Sequence, residues 1–185
     1  DPTHPDKLFE NYKNAFDTGS QIRNTLSFTG GSENIKFFSS LSQFDHDGML
    51  PFTDYRNLGA RLNTDITISP KFKAGVNMSY TNSGGYRFDA DRFGESLTYY
   101  IAGTNFSYAP TSWLNFNYRL GVDTYTDNRF RTAPGPRGIP GERTYDNAEG
   151  FVGDYNTGYR AINSTFLANA TTKLTSNITG TLRLG

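Results

Sequence analysis

The sequence predicts an all-β protein: about eight up-and-down strands of a larger transmembrane antiparallel β-barrel. Three observations carry this. The first is the stretch Leu58–Asn82, where Leu58, Ala60, Leu62, Thr64, Ile66 and Ile68 alternate with Gly59, Arg61, Asn63, Asp65 and Thr67. After Ser69-Pro70-Lys71 the alternation resumes in phase, with Phe72, Ala74, Val76, Met78 and Tyr80 against Lys73, Gly75, Asn77, Ser79 and Thr81. Successive strand side chains point to opposite faces, so this is a hairpin with one apolar and one polar face. The second is length: each arm runs about eleven residues, where roughly 5–6 is usual in globular proteins and roughly 9–11 tilted residues cross a bilayer. The third is that charges fall on the polar phase inside these long strands.

In chain order, residues 1–20 do not alternate. Leu8, Phe9, Tyr12 and Phe16 recur at spacings of three and four after Asp6, which allows a short amphipathic helix in a lead-in segment. Residues 21–185 form the partial barrel. Strand one is Gln21–Gly30, with Ile22, Leu26 and Phe28 on one face, and Gly30–Asn34 is a tight turn. Strand two is Ile35–Phe44, whose facing stays open because Phe37 and Phe38 are adjacent. A loop over Asp45–Asp54 leads to strands three and four, the hairpin above. If 69–71 is its loop, Ile68 faces Phe72, Ile66 faces Ala74, Thr64 faces Val76 and Leu62 faces Met78. A second loop covers Ser83–Gly94. Strand five is about Leu97–Tyr108, and Ala109–Trp113 turns into strand six, Leu114–Thr124, where Leu114, Phe116, Tyr118, Leu120 and Val122 oppose Asn115, Asn117, Arg119, Gly121 and Asp123. The longest irregular segment is roughly Asp127–Arg160. Strand seven is about Ala161–Leu174, Thr175-Ser176-Asn177 turns, and strand eight starts at Ile178 with Leu182 and Leu184 outward and Arg183 inward.

Short turns at 30–34, 69–71, 109–113 and 175–177 thus alternate with long connections at 45–54, 83–96 and 127–160. Bacterial outer-membrane barrels show this asymmetry of short periplasmic turns and long extracellular loops. Phe72, Tyr108 and Trp113 mark one strand end, and Phe44, Tyr55, Tyr80, Tyr100 and Tyr125 the other, as two aromatic girdles would.

Composition sets the exclusions. Apolar residues make up 35% and mean hydropathy is −0.61, low for a soluble core but ordinary for a barrel, where only the outward half of each strand is apolar. The 18 basic and 18 acidic residues cancel, so nothing predicts a grip on nucleic acid. There is no Cys, which excludes disulfides and thiolate chemistry. No apolar run reaches the roughly 18–20 residues of a membrane helix. Asp45-His46-Asp47 and the acidic run Asp89, Asp91, Glu95 match no metal-loop spacing and read as solvated loops. No catalytic triad, cofactor motif or enzyme signature is present.

On a lipid face each Arg or Lys near the midplane would cost about 2–4 kcal/mol. Arg61, Asp65, Lys73, Asn77, Arg119, Asp123 and Arg183 are therefore assigned to the lumen, against plug, water or substrate. Leu62, Ile66, Ile68, Val76, Met78, Phe116, Leu120, Val122 and Leu182 are assigned to lipid. Tyr86, Arg87, Asp89, Arg92, Tyr145, Phe151 and Tyr155 mix aromatics with charge in the long connections. They are candidates for ligand or partner contact, with plain surface loops an equal reading.

Residues 11–82 carry a resemblance. Thr18-Gly19, Ser27 to Ser32 with its Gly30-Gly31-Ser32 end, the aromatic–Ser strand Phe37–Ser42, Asp47-Gly48-Met49-Leu50 and Asp54-Tyr55-Arg56 resemble the early barrel of SusC-like (RagA-like) TonB-dependent transporters of the Bacteroidota outer membrane. The resemblance implies a 22-stranded plugged barrel, of which this chain would be an internal piece without the plug, the TonB box or a signal peptide. It further implies a SusD-like surface lipoprotein as partner and TonB-driven import of glycans or peptides. A passive porin or structural barrel, and a soluble β-sandwich binding module, are the alternatives.

Overall fold

The computed structural model describes residues 16–88, 92–134 and 150–185. It holds one antiparallel sheet of eight strands in chain order, β1 (Ser20–Gly31), β2 (Ile35–Asp47), β3 (Asp54–Ser69), β4 (Phe72–Phe88), β5 (Arg92–Thr111), β6 (Leu114–Pro134), β7 (Gly150–Lys173) and β8 (Thr179–Leu184). Each strand pairs only with its sequence neighbours, the up-and-down meander the turn pattern predicts, and β1 and β8 are its edges. The segment spaced for a lead-in helix lies almost wholly outside the described residues; Phe16, its last member, precedes β1 without regular structure.

The register settles which residues share a face. Directly paired residues in an antiparallel ladder project to the same side. Leu62 pairs with Met78, Met78 with Ala102, Ala102 with Val122 and Val122 with Ile162. Even positions from β3 to β8 therefore form one apolar face. Strand β2 joins it in odd phase, because Ile35 pairs with Ile66 and Leu41 with both Leu26 and Ala60. Phe37 thus lies on the apolar face and Phe38 on the polar one, a question the adjacent phenylalanines left open.

The hairpin register is as read from the sequence for Leu62–Met78, Thr64–Val76 and Ile66–Ala74, but not at the turn. Ser69, not Ile68, pairs with Phe72, and the register slips between Thr67 and Ser69. Ser69 Oγ accepts hydrogen bonds from the backbone N–H of Lys71 (3.3 Å) and Phe72 (3.1 Å), closing a tighter turn that leaves Ile68 in a bulge. A similar slip lets the β5–β6 ladder run to Thr111–Leu114, so that connection is shorter than the sequence suggests.

The larger correction concerns the long connections. Most of 83–96 and much of 127–160 is strand: β4 and β5 pair out to Phe88–Arg92, and β6 and β7 to Pro134–Gly150. Ladder hydrogen bonds need only backbone groups. Above Val122 the apolar face turns polar, with Thr124, Thr126 and Asn128, so the alternation that marks a strand disappears while the pairing persists.

The sheet is sheared. Lys36, near the β1–β2 turn, is in register through Asp65, Gly75, Asn105 and Arg119 with Thr165 of β7. Strand β7 continues to Lys173 before its own turn. Backbone bonds at the short turns show the same stagger: Thr67 N–H donates to Asn34 O (2.7 Å), Ala109 to Lys71 O (2.8 Å) and Thr171 to Trp113 O (2.7 Å), each linking one turn to the next hairpin. The turns step by about eight residues, or roughly 26 Å, over six strand spacings of about 4.8 Å. With the turns levelled, the strands lean about 40°, within the 35–45° of β-barrels. At that lean the apolar run Leu114–Val122 stands about 23 Å tall, close to the roughly 25 Å apolar band of a membrane barrel.

Among the described residues no large side chain is fully buried. Leu26 (54%), Ile68 (61%), Ile162 (65%) and Leu182 (60%) stay exposed on a single-layer sheet. A continuous apolar face of this size needs an apolar neighbour, and none packs on it among the described residues.

Candidate functional site

The polar face is built from the opposite phase: odd positions of β3–β8 and even positions of β2. Arg61, Asp65, Lys73, Asn77, Arg119, Asp123 and Arg183 all lie on it. Leu62, Ile66, Val76, Met78, Phe116, Leu120, Val122 and Leu182 all lie on the apolar face, and Ile68 sits in the turn bulge.

The charges on this face within the apolar band make few contacts with each other. Arg61 Nε donates to Asn63 Oδ1 (3.4 Å) and Arg183 Nε to Asn169 Oδ1 (2.9 Å). Asp65, Lys73 and Arg119 take part in no ion pair among the described residues. Higher up the wall, charges are paired: Arg87 with Glu95 (2.8 Å) and Arg129 with Asp127 (2.7 Å). The hydrogen bonds from Arg129 to Asp127 push its guanidinium above the ordinary arginine range, so it stays charged. Arg131 lies over the Phe151 ring at 5.5 Å.

The residues assigned to loops fall mostly on strands. Tyr86 and Arg87 are on β4, and Phe151 and Tyr155 on β7, while Arg92 opens β5. Arg87, Phe151 and Tyr155 share the polar face, whereas Tyr86 lies on the other. Asp89, Tyr145 and Asp91 lie outside the described residues. Asp45 accepts from Gln43 Nε2 (2.6 Å) and Asp47 from Ser20 Oγ (2.8 Å); no group of three His, Cys, Asp or Glu gathers among the described residues.

The girdle assignment needs correcting. Tyr80 and Tyr100 do sit on the apolar face, with rings 4.9 Å apart, but Phe44, Tyr55 and Tyr125 are on the polar face. Strand-end position alone does not say which face a ring takes; the pairing phase does. At the short-turn side the apolar face carries a chain of rings, Phe72–Phe106–Tyr118 and Tyr108–Phe116–Phe166, with centroids 6.1 to 6.5 Å apart.

Sequence reasoning missed two polar-face features. Tyr99, Tyr125 and Tyr159 are in direct register and their rings run nearly parallel, at 6.1 and 5.5 Å. Tyr99 Oη donates to Asp123 Oδ2 (3.0 Å), while the buried Oδ1 has no hydrogen-bond partner. Below them Gly103 pairs with Gly121 over a hollow of about 630 Å³, edged by Asn77, Asn105, Arg119, Asn163 and Thr165. The single-phase tyrosines were visible in the sequence; their alignment depended on registers across three strands.

A sheared, up-and-down, two-faced sheet defines the chain as part of a β-barrel wall. Comparison with known proteins shows what it is similar to. No protein-family model matches. The chain is 33% identical over 63 residues to TonB-dependent receptor P3 of Formosa agariphila, and 34% identical over 56 residues to TonB-dependent receptor P26 of the same organism. These stretches are 34% and 30% of this chain and 6% of each relative. The fold is similar to a chain of the RagAB peptide importer in its open–open state, at TM-score 0.71 and 15% identity, covering 90% of this chain and 24% of that one. A second RagAB peptide transporter structure gives TM-score 0.69 at 15% identity, over 88% and 23%. The chain thus shares the fold of part of the RagAB importer's barrel and is similar over about a third of its length to TonB-dependent receptors, and it spans about a quarter of the solved chains it matches.

Proposed function

We propose that this chain forms part of the pore wall of a SusC-like TonB-dependent transporter in the outer membrane of a Bacteroidota bacterium. The whole protein would import glycans or peptides, with a SusD-like lipoprotein on the cell surface and TonB supplying energy. The carrying observation is the two-faced wall: a roughly 23 Å apolar band on one side, and on the other the strand charges Asp65, Lys73 and Arg119, in no ion pair among the described residues. In the proposal the apolar face meets lipid and the polar face meets the lumen, where plug, water and substrate satisfy those charges. The curated relatives are receptors and the structural relatives importers, which supports transport over catalysis.

The test is uptake by the full-length protein in a deletion strain given candidate glycans and peptides. Uptake should require both the TonB box and the proton-motive force. Uptake that survives deletion of the TonB box would identify a passive pore and sink the proposal.

A further inference from the structure

We infer that the polar face of β5–β7 carries a binding subsite for an uncharged, polyhydroxylated ring ligand, a neutral glycan segment. This rests on the reading of that face as the lumen of an importer, and it goes further by choosing between substrate classes and naming the residues.

The subsite has three levels on adjacent strands. At the top is the in-register row Tyr99–Tyr125–Tyr159, whose rings are within 9° and 24° of parallel. Aromatic rings with hydroxyl tips suit the apolar ring faces and hydroxyl edges of a sugar. One residue pair lower is Asp123, fixed by Tyr99 through one oxygen and left with a second, buried, unpartnered acceptor. That enclosed oxygen is out of a ligand's reach, so the carboxylate acts by holding the Tyr99 hydroxyl, and with it the row of rings, over the hollow.

The third level is the floor. A Cβ placed on Gly121 would have nothing within 4 Å, and one on Gly103 would meet only Leu120 O at 3.7 Å. The pair therefore leaves open space over bare backbone, where a ring could approach closely. Asn77 and Asn163 flank it in direct register, each offering both a donor and an acceptor. Arg119 closes the lower side with donors only. Mixed amides between one carboxylate and one guanidinium give an anionic or cationic ligand one like charge to face. An uncharged ligand meets none. A peptide would want apolar pockets for its side chains; the floor here is two glycines, with Ile101 the apolar side chain in register beside Asp123 above it.

The test uses the full-length transporter purified in detergent. Binding is measured on an array of neutral oligosaccharides (glucans, xylans, mannans and galactans) and against a peptide library of matched length. Wild type should bind at least one glycan and no peptide comparably. Gly121→Phe, which fills the floor, and Tyr125→Ala should each weaken that binding by about tenfold or more, while heat-modifiable mobility on gels reports an intact barrel. Tyr125→Phe keeps the ring and should lose less than Tyr125→Ala. If Gly121→Phe fails to fold, the Tyr125 pair decides. Glycan binding untouched by these changes, or selective peptide binding, overturns the subsite. In both cases TonB-dependent uptake persists, whereas loss of that dependence counts against the importer reading itself.

Discussion

The assignment of faces is most directly tested at two adjacent residues of β4. Val76 lies on the apolar face between Thr64 and Thr104, and Asn77 on the polar face between Asn63 and Gly103. Val76 is four residues above Phe72, the start of β4, which at a lean of about 40° is roughly 10 Å up a band about 25 Å tall. It sits near the midplane, where an arginine on the lipid side costs about 2–4 kcal/mol. Val76→Arg should therefore lower the folded-to-unfolded ratio by about 30- to 700-fold, since roughly every 1.4 kcal/mol is a factor of ten. Asn77→Arg projects to the other side, next to a glycine that leaves it room, and should insert as wild type does. The assay is heat-modifiable mobility after refolding the full-length protein into bilayers, titrated with urea. Equal losses for the two variants would refute the phase assignment, and a larger loss for Asn77→Arg would invert it.

Other consequences are smaller in scope. Phe106→Ala removes a ring that contacts both Phe72 and Tyr118; urea unfolding in micelles should show a loss of about 1–3 kcal/mol, at roughly 0.5–1.5 per aromatic pair. Gly31 has φ +154°, and a Cβ there would fall 2.1 Å from Ile35 O, so Gly31→Ala should open the β1–β2 turn and slow refolding relative to Gly121→Ala, whose Cβ meets nothing. Phe52 adopts φ 63° at an exposed loop position, and Phe52→Gly should raise the unfolding free energy by up to about 1 kcal/mol, read as a higher urea midpoint, because bulky residues are strained in that region. Arg87→Ala breaks an ion pair whose Arg87 end is exposed and whose Glu95 end is 19% exposed; it should cost no more than about 1 kcal/mol, with the effect fading in high salt.

The sequence by itself determined the strand count, the meander order, the short turns and the two faces of each strand between 58 and 82 and between 114 and 122. Those features follow from a period of two and from turn residues, both local properties. It also determined the charged set that shares one face, because a charge inside an alternating strand can only join the polar phase. The tertiary structure decided whatever depends on two strands at once. The facing of Phe37 and Phe38 required the β1–β2–β3 register, because adjacent phenylalanines have no phase of their own. The slip that displaces Ile68 came from Ser69 Oγ closing the turn, a competition the alternation does not encode. The strand extensions to Phe88 and Pro134 were hidden because backbone pairing continues where both faces are polar and periodicity ends. The lean of about 40° and the alignments Tyr99–Tyr125–Tyr159 and Gly103–Gly121 accumulate over several registers. A one-residue change in any of those registers would dissolve them while leaving each strand's own pattern intact.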